Sequence, residues 1–234
     1  MKKSKRVLAA VLAVLMLAMC FVGCGEAPAN SDANKNADGK YTIGICQLVT
    51  HDALDAATNG FKEAVIEGLG EENVTFIEQN AAGDNNTCTT IVNDFVSKDV
   101  DLIMANATGA LQAAYNSTET IPVLGTSITE YGVALEIDDF SGTVGGNVSG
   151  TSDLAPLDKQ AQMIIDLFPD AKKVAMLYCS AEPNSAYQVK KVKEFLEAKS
   201  ITVIDKSFSD SNDVNTVAAA AAAELPRHPL AHSR

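Results

Sequence analysis

The chain has 234 residues, 47% of them hydrophobic, and a formal net charge of −12. An acidic balance of this size disfavours nucleic acid as a partner, because phosphate contacts need a basic stripe. The five cysteines and three histidines show no metal-ligand spacing, so the sequence indicates neither a zinc site nor a disulfide framework. Cys46 and Cys88 fall on apolar faces and are predicted to be core thiols.

The N-terminus has the features of a secretory signal. A basic start, with Lys2, Lys3, Lys5 and Arg6, precedes an apolar run that ends in FVGC at Cys24. This FVGC is similar to a bacterial lipobox, in which the cysteine sulfur is acylated, although Phe21 replaces the usual leucine. We therefore expect a signal peptide over residues 1–23 and a lipidated, flexible tether over residues 24–40, which are rich in Ala, Asn, Asp and Gly. The expected location is the extracytoplasmic face of the cell membrane.

From Lys40 onward, short apolar runs alternate with amphipathic stretches. This alternation predicts βαβ units and a parallel sheet flanked by helices, an α/β fold. The predicted strands of the first lobe (41–150) are YTIGICQL, NVTFIE, VDLIMAN and IPVLGT, and its predicted helices are Asp52 to Leu69, Thr87 to Lys98 and Gly109 to Asn116. A Gly-rich crossing segment follows, and GNVSGTSDLAP, residues 146–156, is predicted to be the hinge strand and turn.

The same alternation restarts in a second lobe (151–217), with helices at 156–168 and 184–199, strands KKVAMLY and ITVIDKSF, and a helix from about Asp213. This lobe is predicted to be incomplete, because two α/β domains usually need about 100–150 residues each. Residues 218–234 contain six alanines followed by ELPRHPLAHSR with two prolines. We predict a non-native or disordered tail there, in a C-terminally truncated chain.

No catalytic motif is evident. The sequence contains no GxSxG elbow, Walker A loop, HExxH or GxGxxG pattern. His228 and His232 lie in the predicted tail, which leaves His51 as the credible candidate for a catalytic histidine. The sequence therefore predicts a protein that is not an enzyme, while a hydrolase that uses His51 remains an alternative.

Polar residues follow the predicted strands of the first lobe, where ligands of open α/β sheets bind. These positions are Gln47 to His51, Ala107 to Ala110, Thr126 to Thr129, and Ser152 with Asp153. Side chains and backbone amides that converge there suit a small polar or zwitterionic ligand. Each position also has a structural interpretation: Thr50, Asp52, Thr108, Asn184 and Ser185 could cap helices, and His51 could be a surface loop residue.

Five segments occur in order: GICQLVTHDALDAATNGF, ANATGALQAA, IPVLGTSITE, NVSGTSDLAP and YCSAEPNSAYQVK. Together they resemble the tryptophan/tyrosine-type family of substrate-binding lipoproteins of ABC importers, over roughly residues 40–217. The resemblance implies a two-lobed type I periplasmic-binding fold that closes on its ligand by a hinge motion. It also implies non-catalytic capture of an aromatic or other amino acid, without a metal or cofactor, and delivery to a permease and its ATPase. Binding proteins of the same fold for a nucleoside or a sugar remain an alternative.

The resemblance also implies a set of ligand-contacting residues. In the first lobe and hinge these are Gln47, His51, Thr108, Thr126, Thr129, Ser152 and Asp153. In the second lobe they are Glu182, Asn184 and Ser185. The chain departs from the family pattern at Gly109, which replaces a usual proline, and at Glu130 and Tyr131, which replace a common Asp-Pro pair. These departures bear on the identity of the ligand.

Overall fold

A five-stranded parallel sheet forms the first lobe of the computed structural model, which describes residues 39–209 and 211–225. Its strand order is β2-β1-β3-β4-β5. The strands are β1 (Tyr41–Gln47), β2 (Val74–Asn80), β3 (Leu102–Asn106), β4 (Val123–Ile128) and β5 (Val148–Ser152), and the helices are α1 (Asp52–Leu69), α2 (Asn85–Ser97), α3 (Thr108–Ser117) and α4 (Tyr131–Ala134). The α/β fold class predicted from the sequence is confirmed.

Helices cover both faces of this sheet. Helices α2, α3 and α4 enclose the larger core, whose centre includes the fully buried ring of Phe95. That ring packs on Gly44 of β1, where a Cβ would stand 2.6 Å from the ring. On the opposite face, Phe61 and Val65 of α1 pack against a smaller cluster from β1 and β3. The sheet is thus buried on both sides, as parallel sheets are.

Helix α1 starts and stops where the sequence predicts. His51 is its N-cap, and the imidazole Nδ1 accepts a hydrogen bond from the Ala53 backbone N–H at 3.2 Å. Asp52 and Asp55 in the first turn interact favourably with the helix dipole. The helix ends at Gly70, whose φ of 86° lies in the region that glycine adopts without strain.

Helix α2 depends on a single side-chain cap. Asp84 is the N-cap, and its Oδ1 accepts a hydrogen bond from the Thr87 N–H at 2.8 Å. We expect Asp84→Ala to lower the free energy of unfolding by about 1 kcal/mol, because one N–H of the first turn loses its acceptor. Urea unfolding followed by circular dichroism measures the loss. Asp84→Ser is the matched control, and equal losses in both variants would contradict this role of the cap.

The second lobe contains a two-stranded parallel sheet of β6 (Lys173–Cys179) and β7 (Thr202–Phe208). Its helices are α5 (Leu157–Leu167), α6 (Pro183–Ala198) and α7 (Val214–Glu224). Five buried apolar residues form its core cluster, against twenty in the larger core of the first lobe. Within the described residues, the second lobe therefore has much less buried apolar packing.

Two predicted boundaries differ from the structure. Strand β5 pairs with β4 through Ser152, so the first sheet continues beyond the lobe boundary predicted at residue 150. Helix α7 includes Ala218–Ala223, so the first residues of the predicted tail are helical, since alanine is a strong helix former. Residues 226–234 lie outside the described residues, as do the predicted signal peptide, Cys24 and the tether up to residue 38. None of the helices in the described ranges is long and apolar enough to cross a membrane.

Candidate ligand-binding site

Four polar residues stand side by side at the carboxyl edge of the first sheet. Asn80, Gln47, Asn106 and Thr126 are consecutive partners in the strand register. Residues in register on neighbouring strands share a face of the sheet. Polar groups from four strands are therefore concentrated where ligands of open α/β sheets bind.

Gln47 is 4% exposed, and its amide is committed to local structure. The Nε2 group donates to the Val49 carbonyl at 2.9 Å and to Asp55 Oδ1 at 2.6 Å. The Oε1 atom accepts a hydrogen bond from the Thr58 hydroxyl at 2.7 Å. This predicted site residue therefore positions the loop before α1 and the first two turns of that helix.

Asn106 continues the same network and was not among the predicted site residues. Its Nδ2 donates to the Thr58 hydroxyl at 3.0 Å and to the Leu54 carbonyl at 2.8 Å. Its Oδ1 is buried and has no hydrogen-bond partner within the described residues. An unpaired buried acceptor costs about 1–3 kcal/mol, so a donor at this position would be stabilising. Gln47 was predicted because it is a polar residue at the end of an apolar strand. Asn106 has the same position at the end of β3, so the same reasoning could have identified it.

His51 and Thr50 lie in the loop between β1 and α1. His51 is exposed, and its Nδ1 is occupied by the cap of α1. The Thr50 hydroxyl accepts a hydrogen bond from Asn80 Nδ2 at 3.3 Å. The structure thus gives His51 the capping role that the sequence analysis assigned to Thr50 or Asp52, and it leaves the rest of the imidazole ring exposed at the carboxyl edge.

The turn between β3 and α3 contains a strained residue. Ala107 has φ 87° and ψ 162°, a conformation that is unfavourable for a residue with a Cβ. Thr108, 7% exposed, then begins α3. The first N–H groups of a helix have no intrahelical partner and form its positive end. Gly109 leaves room for Asn85, since Asn85 Oδ1 would overlap a Cβ at that position. The positive end of α3 therefore lies next to the polar row.

Strands β4 and β5 bring the third group of predicted residues together. The Ser152 hydroxyl donates to the Thr129 carbonyl at 2.8 Å, and the Asp153 N–H donates to the Ile128 carbonyl at 3.0 Å. Thr129 is 9% exposed, whereas Ser152 and Asp153 are exposed. Thr126 is half-buried within β4. The predicted hinge residues Ser152 and Asp153 are thereby attached to the edge of the first sheet.

The Tyr131 side chain stabilises the pairing of β4 with β5. Its hydroxyl donates to the Gly125 carbonyl at 3.0 Å and lies 3.3 Å from the Thr151 carbonyl. Burial, together with the nearby Asp153 carboxylate, raises the pKa of Tyr131 to about 12. The phenol therefore stays neutral and remains a hydrogen-bond donor at physiological pH. Glu130 caps α4 through its two carboxylate oxygens, which accept the N–H groups of Gly132 and Val133.

The three predicted residues of the second lobe lie at the N-terminus of α6, after the carboxyl end of β6. Glu182 is the N-cap position, and the Ser185 hydroxyl donates to its Oε2 at 2.8 Å. Asn184 is half-buried, and its carbonyl accepts a hydrogen bond from Gln188. The ten predicted residues therefore form two groups, each at the carboxyl edge of a sheet. Seven belong to the first lobe and the predicted hinge, and three to the second lobe.

Comparison with known proteins identifies the family of this chain. The family model of ABC transporter substrate binding proteins matches residues 42–225. The chain belongs to this family. The match covers both lobes, and the family resemblance stated from the sequence is confirmed. The two separate parallel sheets are consistent with the type I periplasmic-binding fold, in which each lobe has its own sheet.

Three relatives illustrate the similarity. A tyrosine-binding protein from Clostridioides difficile strain R20291 is 37% identical over 225 residues, which are 92% of this chain and 64% of the relative. A structure from Streptococcus pneumonia in complex with L-Trp is 29% identical, with a TM-score of 0.74, and the match covers 80% of this chain and 63% of the other. A ligand-free, open substrate-binding protein from Clostridium difficile is 36% identical, with a TM-score of 0.57 and coverage of 79% and 63%. The chain thus spans slightly less than two thirds of the length of each of these relatives.

Proposed function

We propose that this chain captures a small ligand, an aromatic or other amino acid, non-covalently at the carboxyl edge of its first sheet, as the binding component of an ABC importer. The observation that carries the proposal is the convergence there of the polar row Asn80–Gln47–Asn106–Thr126 with the positive end of α3. No cluster of three or more His, Cys, Asp or Glu side chains with the geometry of a metal site occurs within the described ranges.

This arrangement suits a zwitterion. The free N–H groups at the start of α3 favour a carboxylate, because the dipole and the unpaired donors both attract negative charge. The Asp153 carboxylate is exposed at the same edge of the sheet and can pair with an ammonium group. One relative is named a tyrosine-binding protein and another was solved with L-Trp, so an aromatic amino acid is the first ligand to test.

The other parts of the proposal concern the whole transport system. Glu182, Asn184 and Ser185 of the second lobe would complete the ligand contacts when the lobes close, since each lies at the carboxyl end of β6 or in the first turn of α6. A permease and its ATPase would accept the ligand, and this subunit would perform no catalysis. Export and acylation at Cys24 would hold the protein at the extracytoplasmic face of the membrane.

Isothermal titration calorimetry of the full chain tests the proposal directly. The panel is L-tyrosine, L-tryptophan and L-leucine, with uridine and glucose as ligands of other classes. We expect one site per chain for at least one amino acid, and recovery of that ligand unchanged after incubation. A folded chain that binds only uridine or glucose, or that binds none of the panel, would contradict amino-acid capture. Conversion of the bound ligand to a product would contradict a purely binding role.

Asp153→Asn tests the assignment of the ammonium partner. We expect it to weaken amino-acid binding at least tenfold, because a charge-assisted hydrogen bond contributes about 1.5–3 kcal/mol. Asp170→Asn is the matched control, since Asp170 is equally exposed but lies in the turn after α5. The control should bind like the unmodified chain. Equal losses in the two variants would show that net charge, and not a contact at Asp153, governs affinity.

A further inference from the structure

Helix α3 begins without a side-chain cap, unlike the other three helices of the first lobe. Helices α1, α2 and α4 are capped by His51, Asp84 and Glu130, respectively. The N-cap position of α3 is Ala107, whose methyl side chain cannot accept a hydrogen bond. The first N–H groups of α3 therefore have no side-chain acceptor within the described part of the chain.

A side chain suited to this capping role directly precedes Ala107. Asn106 ends β3, and its Oδ1 atom is buried without a hydrogen-bond partner among the described residues. Asparagine is among the most favourable capping residues, and its oxygen commonly accepts the N–H two positions further along the chain. For Asn106 that N–H belongs to Thr108, the first residue of α3. An unpaired acceptor and unpaired donors are thus separated by a single residue.

The polar row contains an example of the bond that Asn106 lacks. Asn80 ends β2, and its Oδ1 accepts the N–H of Ala82, two positions further on, at 2.9 Å. At Asn106 the following residue, Ala107, has φ 87° and ψ 162°. This conformation is almost restricted to glycine. The strained conformation of Ala107 therefore accompanies the loss of the bond that is formed at the end of β2.

We propose that the turn between β3 and α3 exchanges between two arrangements and that the ligand selects one of them. In the uncapped arrangement, which this structure shows, Ala107 is strained and the first N–H groups of α3 are available to a ligand carboxylate. In the self-capped arrangement, Ala107 is unstrained and Asn106 Oδ1 accepts the Thr108 N–H. The ligand carboxylate and Asn106 thus compete for the same donors. This inference rests on the amino-acid capture proposed above, and it makes Asn106 and Ala107 positioning residues.

The rest of Asn106 is firmly attached, so the exchange requires movement of the turn alone. Its Nδ2 donates to the Leu54 carbonyl at 2.8 Å and to the Thr58 hydroxyl at 3.0 Å. Its backbone carbonyl accepts the Leu48 N–H at 3.1 Å. A ligand that binds only the uncapped arrangement has its apparent affinity reduced by the fraction of chains in that arrangement. Relief of the strain at Ala107 should therefore increase affinity.

Ala107→Gly tests this inference, because glycine adopts the uncapped conformation without strain. The probes are L-tyrosine, L-tryptophan and L-leucine, titrated by calorimetry into the full chain. We expect any of the three that the unmodified chain binds to bind the variant about tenfold more tightly. Strain that was equal in the free and bound chain would cancel and leave the affinity unchanged. Equal or weaker binding by the variant would therefore overturn the inference.

Ala82→Gly is the matched control. Ala82 also has a positive φ, of 53°, and lies in the turn after β2, where the capping bond is already formed. The control should bind the probes like the unmodified chain. A gain in affinity equal to that of Ala107→Gly would show that glycine acts through general flexibility, and it would overturn the inference.

Nuclear magnetic resonance of the ligand-free chain distinguishes a failure of this inference from a failure of amino-acid capture. Relaxation dispersion detects exchange between conformations on the microsecond to millisecond timescale. We expect exchange at the Thr108 amide of the unmodified chain, and its loss in Ala107→Gly. A single arrangement at Thr108 in the unmodified chain would overturn the inference even if an amino acid binds. Exchange at Thr108 in a chain that binds none of the probes would support the two arrangements and contradict amino-acid capture.

Discussion

Gly150→Ala is expected to destabilise the first lobe by about 2–6 kcal/mol, or to prevent its folding. Gly150 has a φ of +151°, which residues with a Cβ rarely adopt, and this strain alone costs about 1–3 kcal/mol. A Cβ would also overlap the Gly125 carbonyl oxygen and the Tyr131 hydroxyl, and it would lie 2.7 Å from the Gly125 nitrogen. Strand β5 would have to move away from β4, at a further cost of about 1–3 kcal/mol. Urea unfolding followed by circular dichroism measures the change.

The chain offers a control that separates strain from collision. Gly146 also has a positive φ, of +62°, but a Cβ there would meet nothing within 4 Å. Gly146→Ala should therefore cost only about 1–2 kcal/mol, the price of a left-handed conformation for alanine. A Gly150→Ala loss no greater than the Gly146→Ala loss would show that β5 moves easily, contrary to its close pairing with β4.

Thr58→Val is the second change with a large expected effect. Valine has the shape of threonine without the hydroxyl, so the substitution removes the group that joins Gln47 to Asn106. Gln47 Oε1 would lose its donor and Asn106 Nδ2 would lose one of two acceptors, both in a buried site. We expect a loss of about 2–3 kcal/mol in the free energy of unfolding, because buried polar groups that lose their partners are costly. Thermal and urea unfolding measure this loss.

Thr90→Val is the matched control for this prediction. Thr90 lies in a helix as Thr58 does, but it is exposed and its hydroxyl donates only to the Asn86 carbonyl of its own helix. Its replacement should change stability by less than about 0.5 kcal/mol. If Thr58→Val were equally mild, the polar network would contribute little beyond packing. Since the network positions the start of α1, Thr58→Val should also weaken ligand binding.

Much of the architecture was predictable because the spacing of apolar residues along the sequence indicates which side of a helix or strand is buried. The apolar stripe of α1, bounded by His51 and Gly70, predicts both ends of that helix, and the observed span is Asp52–Leu69. The boundary at β5 was less accessible, because the strand VSGTS contains a single apolar residue and its last four residues are exposed. Its extended conformation comes from pairing with β4, a tertiary contact that local sequence does not record.

The location of the candidate site was predictable from the sequence, whereas the contacts of its individual residues were less so. Polar residues after apolar strands marked the carboxyl edge, and Gln47 was found in this way. The structure shows that Gln47 holds α1 through Thr58, a helical threonine that has no distinguishing signal in the sequence. The partnership of Thr58 with Asn106 spans 48 positions, so only the folded chain reveals it. The assignment of individual residues to ligand contact remains a prediction.

The unequal cores of the two lobes have a consequence for the energetics of ligand capture. With five buried residues in its core cluster against twenty, the second lobe should open locally at lower free energy, and its backbone amides should exchange with deuterium sooner. Glu182, Asn184 and Ser185 belong to the lobe that is expected to open at lower free energy. A ligand held between the lobes would slow that exchange, and the conformational entropy lost would reduce the observed affinity. Affinity would then depend on the rigidity of a region distant from the ligand, so that substitutions in the core around Leu196 could tune it without altering a single contact.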